Sequence, residues 1–243
     1  MDPMRKSALV AGVLYLITFV SIPTLWLYGA VNEPGYIAGT GSNSGVIIGV
    51  VLELIVALAC VGTAVALFPV VRRQNEVMAM GFVGARLLEA ATIMLGIVSL
   101  ATIVTLRRNG AGTDATVTGD ALVAIYDRTF LFGQSFMPAV NGMLLGTLMY
   151  RSRLVPRLLP LLGLIGAPLL IAAQAGVLFD LWDRSSAATG LGALPIAVWE
   201  LSLGLYLVIK GFRPSAIDTL ANRPDPLWTA HQPISSTGAA VTL

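Results

Sequence analysis

Residues 46–71 read VIIGVVLELIVALACVGTAVALFPVV, a continuous apolar run broken by one charge, Glu53. Coiled as an α-helix at 1.5 Å per residue, it spans about 39 Å. Roughly 20 apolar residues are enough to cross the hydrocarbon core of a bilayer. The run shows neither the alternation nor the regular turn signals of barrel strands, so a β reading fails. A soluble fold could not cover a helix that is apolar on every side along such a length, and lipid can. The chain therefore reads as an integral membrane protein.

The rest of the sequence repeats that pattern. Segments 9–28, 77–106, 122–150, 158–181 and 190–209 are also long and apolar, so the expected fold is all-α, a polytopic transmembrane bundle of six helices. The third and fourth segments exceed a minimal span, which allows tilt or an interfacial extension. Of 243 residues, 56% are hydrophobic and 12% charged, half the charge that coats a typical soluble domain. The mean hydropathy is +0.82. The expected organisation is one six-helix domain over residues 1–213 and a disordered cytoplasmic tail over 214–243, where Pro214, Pro224, Pro226 and Pro233 lie among Ser and Thr. Arg5 and Lys6 ahead of segment 9–28 could suggest a signal peptide. That segment is long, however, and ends Tyr28-Gly29-Ala30 with no small-x-small cleavage site.

Basic residues set the expected orientation. Arg5, Lys6, Arg72, Arg73, Arg151, Arg153, Arg157, Lys210, Arg213 and Arg223 fall on one side of the six segments, against Arg107, Arg108 and Arg184 on the other. Ten against three predicts both termini in the cytoplasm and a multi-pass protein of the cell inner (cytoplasmic) membrane. Trp26, Tyr28, Tyr36 and Trp182 then fall near the outer interface, and the Gly-, Thr- and Asp-rich stretch 107–120 is an outer loop. The small net charge of +2, in short clusters, argues for topology and against nucleic-acid binding. Gly45 and Gly49, and Gly142 and Gly146, have the spacing of close helix contacts. The central glutamates of the third and sixth segments hint at inverted repeats, but the loop lengths do not match.

Charges inside the spans carry the functional signal, because each costs on the order of 3 kcal/mol at mid-helix and needs a partner or a task. Glu53, Arg86, Glu89 and Glu200 are the four. Arg86 and Glu89, three apart, share a helix face and can neutralise each other. That leaves two acids without a base, which points to protonated carboxyls or to a site for a proton or a small cationic ligand. Gln134, Ser135, Asn141 and Pro138 in the fourth segment, Gln174 and Pro168 in the fifth, and Pro23 in the first could line a wet cavity or merely kink the helices. Asp127 and Arg128 read as an interfacial pair. Trp199 could cover a cation or face lipid. The ligand- or proton-binding candidates are Glu53, Arg86, Glu89, Glu200, Asn141 and Gln134.

Several chemistries are excluded. Cys60 is the only cysteine and His231, in the tail, the only histidine. Intrachain disulfides and thiolate clusters, and within the membrane H-E-x-x-H zinc sites, histidine-ligated haem and Ser-His dyads, therefore have no residues to use. No Walker A or dinucleotide fingerprint is present, and neither a cofactor nor a metal is expected. The expected partners are the lipid bilayer and a small-molecule or cation ligand. Nothing in the sequence sets the oligomeric state.

Arg86-Leu87-Leu88-Glu89-Ala90, then Tyr150-Arg151-Ser152-Arg153-Leu154-Val155-Pro156-Arg157, and Glu200 ahead of Lys210-Gly211-Phe212 resemble a bacterial membrane family named domain of unknown function 4386. The resemblance runs from about residue 6 to residue 212. It implies a six-helix membrane protein and assigns no activity. Three functions remain open: a small transporter or permease, a structural or regulatory subunit whose charges only fix helix packing, and an intramembrane lipid enzyme running on carboxylates.

Overall fold

The computed structural model describes residues 2–222 apart from positions 34 and 40, and every regular element among them is helical. The long helices are α1 (Pro3–Ile17), α3 (Ser44–Val71), α4 (Glu76–Arg108), α7 (Leu158–Leu178) and α8 (Ala187–Ile209). Counting α1 together with its continuation to Leu27, these five stretches are long and apolar enough to cross a membrane. A short 3₁₀ turn, Thr18–Ser21, and a four-residue helix α2 (Thr24–Leu27) continue α1 past Pro23.

The expected fourth segment is built differently. It comprises α5 (Thr116–Thr129), a π-helical stretch Phe130–Phe136 and α6 (Met137–Ser152) in direct succession. Pro138 has no N–H to offer the carbonyl of Gln134, so the regular ladder is lost at this point. The added turn width of a π segment fits that loss.

Helix ends follow ordinary chemistry. The Asn75 side chain accepts from the Met78 N–H at 2.9 Å to start α4, and Ser186 accepts from the Thr189 N–H at 3.3 Å to start α8. Gly211 beyond α8 takes φ 75°, while α6 ends on Arg153 in the same left-handed region at φ 58°. Pro214–Ala221, expected as the start of a disordered tail, is instead helix α9. Pro214 sits in its first turn, where no N–H is needed, and Ala216 and Leu220 on one face pack into the core. The remainder of the tail, 223–243, lies outside the described residues.

The long helices close a ring. α1 packs on α3 and α8, α3 on α4, α4 on α6, α6 on α7, and α7 on α8. The Arg5 guanidinium donates to the carbonyls of Leu207 (2.9 Å) and Val208 (2.6 Å). The beginning of α1 and the end of α8 therefore lie at the same end of the bundle. The turn after α6 lies there too, since Arg213 N–H donates to Leu154 C=O at 2.9 Å. A core of Leu67, Val71, Phe82, Leu148, Met149, Leu203 and Leu207 fills this end. A smaller cluster of Val46, Leu100, Ile103, Val104 and Tyr126 fills the other.

Small residues allow the helices to approach. A methyl group on Gly142 would meet Ile196 of α8 at 2.9 Å and the Gly163 carbonyl of α7 at 3.3 Å, so the 142/146 pair does serve helix contacts. Gly49 does something else: a methyl there would strike the Tyr28 ring at 2.3 Å. Its bareness seats an aromatic side chain, and Tyr28 turns inward, 4% exposed, away from the lipid interface expected for it.

Candidate functional site

Arg86 and Glu89 meet as their spacing requires, on the inner face of α4. Arg86 Nη1 donates to Glu89 Oε2 at 2.7 Å, with Arg86 1% and Glu89 5% exposed. The ring supplies the other partners. Arg86 Nε donates to Thr63 Oγ1 of α3 at 3.1 Å, and its guanidinium lies over the Tyr15 ring of α1, 5.0 Å from the centroid. Asn141 of α6 donates from Nδ2 to the same Glu89 Oε2 at 2.7 Å. Four helices thus converge on one ion pair. Burying a charge in this way is tolerable only because the partners are many.

Glu200 of α8 is the third charge of this centre. It lies within electrostatic reach of both Arg86 and Glu89. It makes no ion pair, and its Oε1 is buried without a hydrogen-bond partner among the described residues. The adjoining Trp199 does not face lipid, one of the two positions the sequence allowed it. It is fully buried against Gly163 of α7, where an added methyl would meet the indole at 2.7 Å.

Glu53 does not join the other three. It lies ten residues, about 15 Å, along α3 from Thr63. It is fully buried and accepts from Tyr126 Oη of α5 at 2.9 Å and from Gln134 Nε2 of the π segment at 3.0 Å. Tyr28 stacks edge-on against Tyr126, ring centroids 5.3 Å apart, and closes the group. The six candidates therefore divide into a central set, Arg86, Glu89, Asn141 and Glu200, and a second set, Glu53 with Gln134.

A vestibule of about 960 Å³ is lined by one member of each set, Gln134 and Glu200. Gln134, Ser135 and Pro138 line it from the π segment and α6, Gln174 from α7, and Glu200 from α8. Its rim carries Asp127, Arg128, Asp180, Asp183 and Arg184. The interfacial pair differs from the one expected. Adjacent residues on a helix point about 100° apart, so Asp127 pairs not with Arg128 but with Arg184 across the rim, at 3.1 Å. Arg184 also lies over the Phe130 ring, 3.9 Å from the centroid. No three His, Cys, Asp or Glu side chains converge among the described residues.

Tyr15, Thr63 and Tyr126 complete the two centres and were missed from sequence. A tyrosine within an apolar run needs a partner for its hydroxyl, and that was the available signal. The Tyr126 hydroxyl meets Glu53, whereas Tyr15 joins its centre through its ring and its hydroxyl has no hydrogen-bond partner among the described residues.

No curated protein and no solved structure matches the chain. The family model "Domain of unknown function (DUF4386)" matches residues 10–211, nearly the whole extent of the ring from α1 to the end of α8. The chain belongs to that family.

Proposed function

We propose that this protein is a six-pass, permease-like protein of the cytoplasmic membrane, whose centre at Arg86, Glu89 and Glu200 binds a proton or a small organic cation. The observation that carries this reading is Glu200. It is a carboxylate with an unpartnered buried oxygen at the wall of the vestibule, beside an ion pair that is already balanced. Two acids and one base leave one negative charge to be met by a ligand. Counting α5 through α6 as one pass gives six crossings. That count agrees with the closed ring and with both ends of the domain lying at the end rich in Arg and Lys.

The test is charge movement in proteoliposomes on a solid-supported membrane, with concentration jumps of 2-phenylethylammonium, choline and protons. The wild type gives transient currents with at least one of these, and Glu200→Gln abolishes them. Traces from the wild type that match empty liposomes for all three refute the proposal.

A second reading has its own observation in favour. Arg86, Glu89, Thr63, Asn141 and Tyr15 tie four helices together, as a device that only fixes packing would. It makes Glu200 dispensable, so silent traces together with an unchanged melting temperature in Glu200→Gln select it.

A further inference from the structure

We infer that the vestibule takes a protonated primary or secondary amine, and that its acceptor oxygens discriminate such amines from quaternary ammonium ions. This rests on the cation-site reading above and narrows it to a chemical class.

The lining decides the class. Glu200 and Gln174 line the same cavity, and the Oε1 atom of each is a buried acceptor without a hydrogen-bond partner among the described residues. Gln174 is 5% exposed. Several donors around them are committed elsewhere. Gln134 Nε2 donates to Glu53, Trp182 Nε1 to the Ala173 carbonyl at 3.1 Å, Thr189 Oγ1 to the Asp183 carbonyl at 3.1 Å, and Arg184 Nη1 to Asp127. Two unmatched acceptors in one wall select a ligand that brings N–H groups. A buried acceptor left unmatched by the wrong ligand costs affinity.

Charge points the same way. Asp127, Asp180, Asp183 and Glu200 line the vestibule against Arg128 and Arg184, four acids against two bases. An excess of one sign in a cleft with low-dielectric walls concentrates the opposite ion at its mouth. Quaternary and primary ammonium ions share that attraction. Only the primary ion can hydrogen-bond to Gln174 and Glu200 together.

The experiment is isothermal titration calorimetry on the full-length protein in nanodiscs at pH 7. The probes are 2-phenylethylammonium, its N,N,N-trimethyl derivative and the neutral 2-phenylethanol. The expected result is binding of the primary amine, roughly tenfold weaker binding of the trimethyl ion, and none of the alcohol. Glu200→Gln abolishes binding of both cations. Gln174→Leu weakens the primary amine roughly fivefold and leaves the trimethyl ion unchanged. Equal affinity for both cations, lost in Glu200→Gln, overturns the amine inference and leaves the cation site standing. No binding of either cation up to ~10 mM, the millimolar limit of useful affinity, overturns both. Binding that survives Glu200→Gln assigns the ligand to another place and overturns the inference as well. The wild-type ligand series decides the class even where a variant fails to fold.

Discussion

Removing Arg86 alone and removing it together with Glu89 have very different consequences. Arg86→Met deletes the only base beside Glu89 and leaves a buried carboxylate held by Asn141 alone. Stranding one charge of a buried pair costs about 3–5 kcal/mol. The hydrogen bond to Thr63 and the contact with Tyr15 are lost with it. In the double variant Arg86→Met/Glu89→Leu no charge is stranded. The remaining cost is chiefly the Asn141 amide left without its acceptor, about 1–3 kcal/mol. The double variant is therefore more stable than the Arg86 single variant by about 2 kcal/mol, the difference of those two ranges. For a chain of this size 1 kcal/mol moves the melting temperature by about 2–4 °C, so the gap is about 4–8 °C. The assay is thermal unfolding in one fixed detergent, followed by near-ultraviolet circular dichroism, with both single variants included to close a double-mutant cycle. A coupling energy below about 0.5 kcal/mol, the additivity limit for independent sites, would refute the claim that Arg86 and Glu89 stabilise each other.

The second centre allows a parallel comparison. Glu53→Leu strands the Tyr126 hydroxyl and the Gln134 amide and costs about 2–4 kcal/mol, while Glu53→Gln keeps an acceptor oxygen for one of them and costs less than half as much. Melting temperatures of the two variants check this, and equal losses would contradict the assigned bonds. Orientation is checked in a Cys60→Ala background, Cys60 being the only cysteine. Asn109→Cys, in the turn after α4, reacts with an impermeant maleimide in intact cells, whereas Arg73→Cys, in the turn before it, reacts only after the membrane is opened. The reverse pattern would invert the proposed topology.

How much of this was legible in sequence depends on the range of the physics involved. Helix existence is a local matter of apolar runs, and segments 46–71, 77–106, 158–181 and 190–209 return as α3, α4, α7 and α8 with ends shifted by a few residues. The Arg86–Glu89 pair is legible for the same reason, since i,i+3 neighbours meet on any helix. The π segment was not legible. Pro138 announced a disturbance, but whether a helix kinks, breaks or widens there depends on what packs around it. Glu53 shows the limit most clearly. Composition counted it with Glu89 and Glu200 as one excess of acid, but its depth along α3 and the two phenols beside it come from tertiary packing. The early helix at 214–221 was hidden by reading proline only as a breaker, when Pro214 stands at the one helical position that tolerates it.

The separation of the two centres bears on which function can be built here. A carboxylate that only fixes packing needs its partners close and complete, and Glu89 has them: Arg86 and Asn141 on one oxygen, within a wall of four helices. Glu200 and Gln174 lack them, and both line the vestibule. Unmatched acceptors in a protein interior are costly; Glu53 Oε2 and Asn141 Oδ1 are unmatched as well, but Glu200 and Gln174 are the two of these four residues that line the vestibule. Gln134 adds a link between the two levels, because it lines the same vestibule and donates to Glu53. Its segment is the one stretch of these spans wound as a π-helix among the described residues. A ligand that displaced the Gln134 amide would strip Glu53 of one of its two hydrogen bonds. On the proposed reading, a ligand large enough to meet both Glu200 and Gln134 would act on Glu53 through Gln134, and so give a permease a means of coupling two sites which a packing role alone leaves without use.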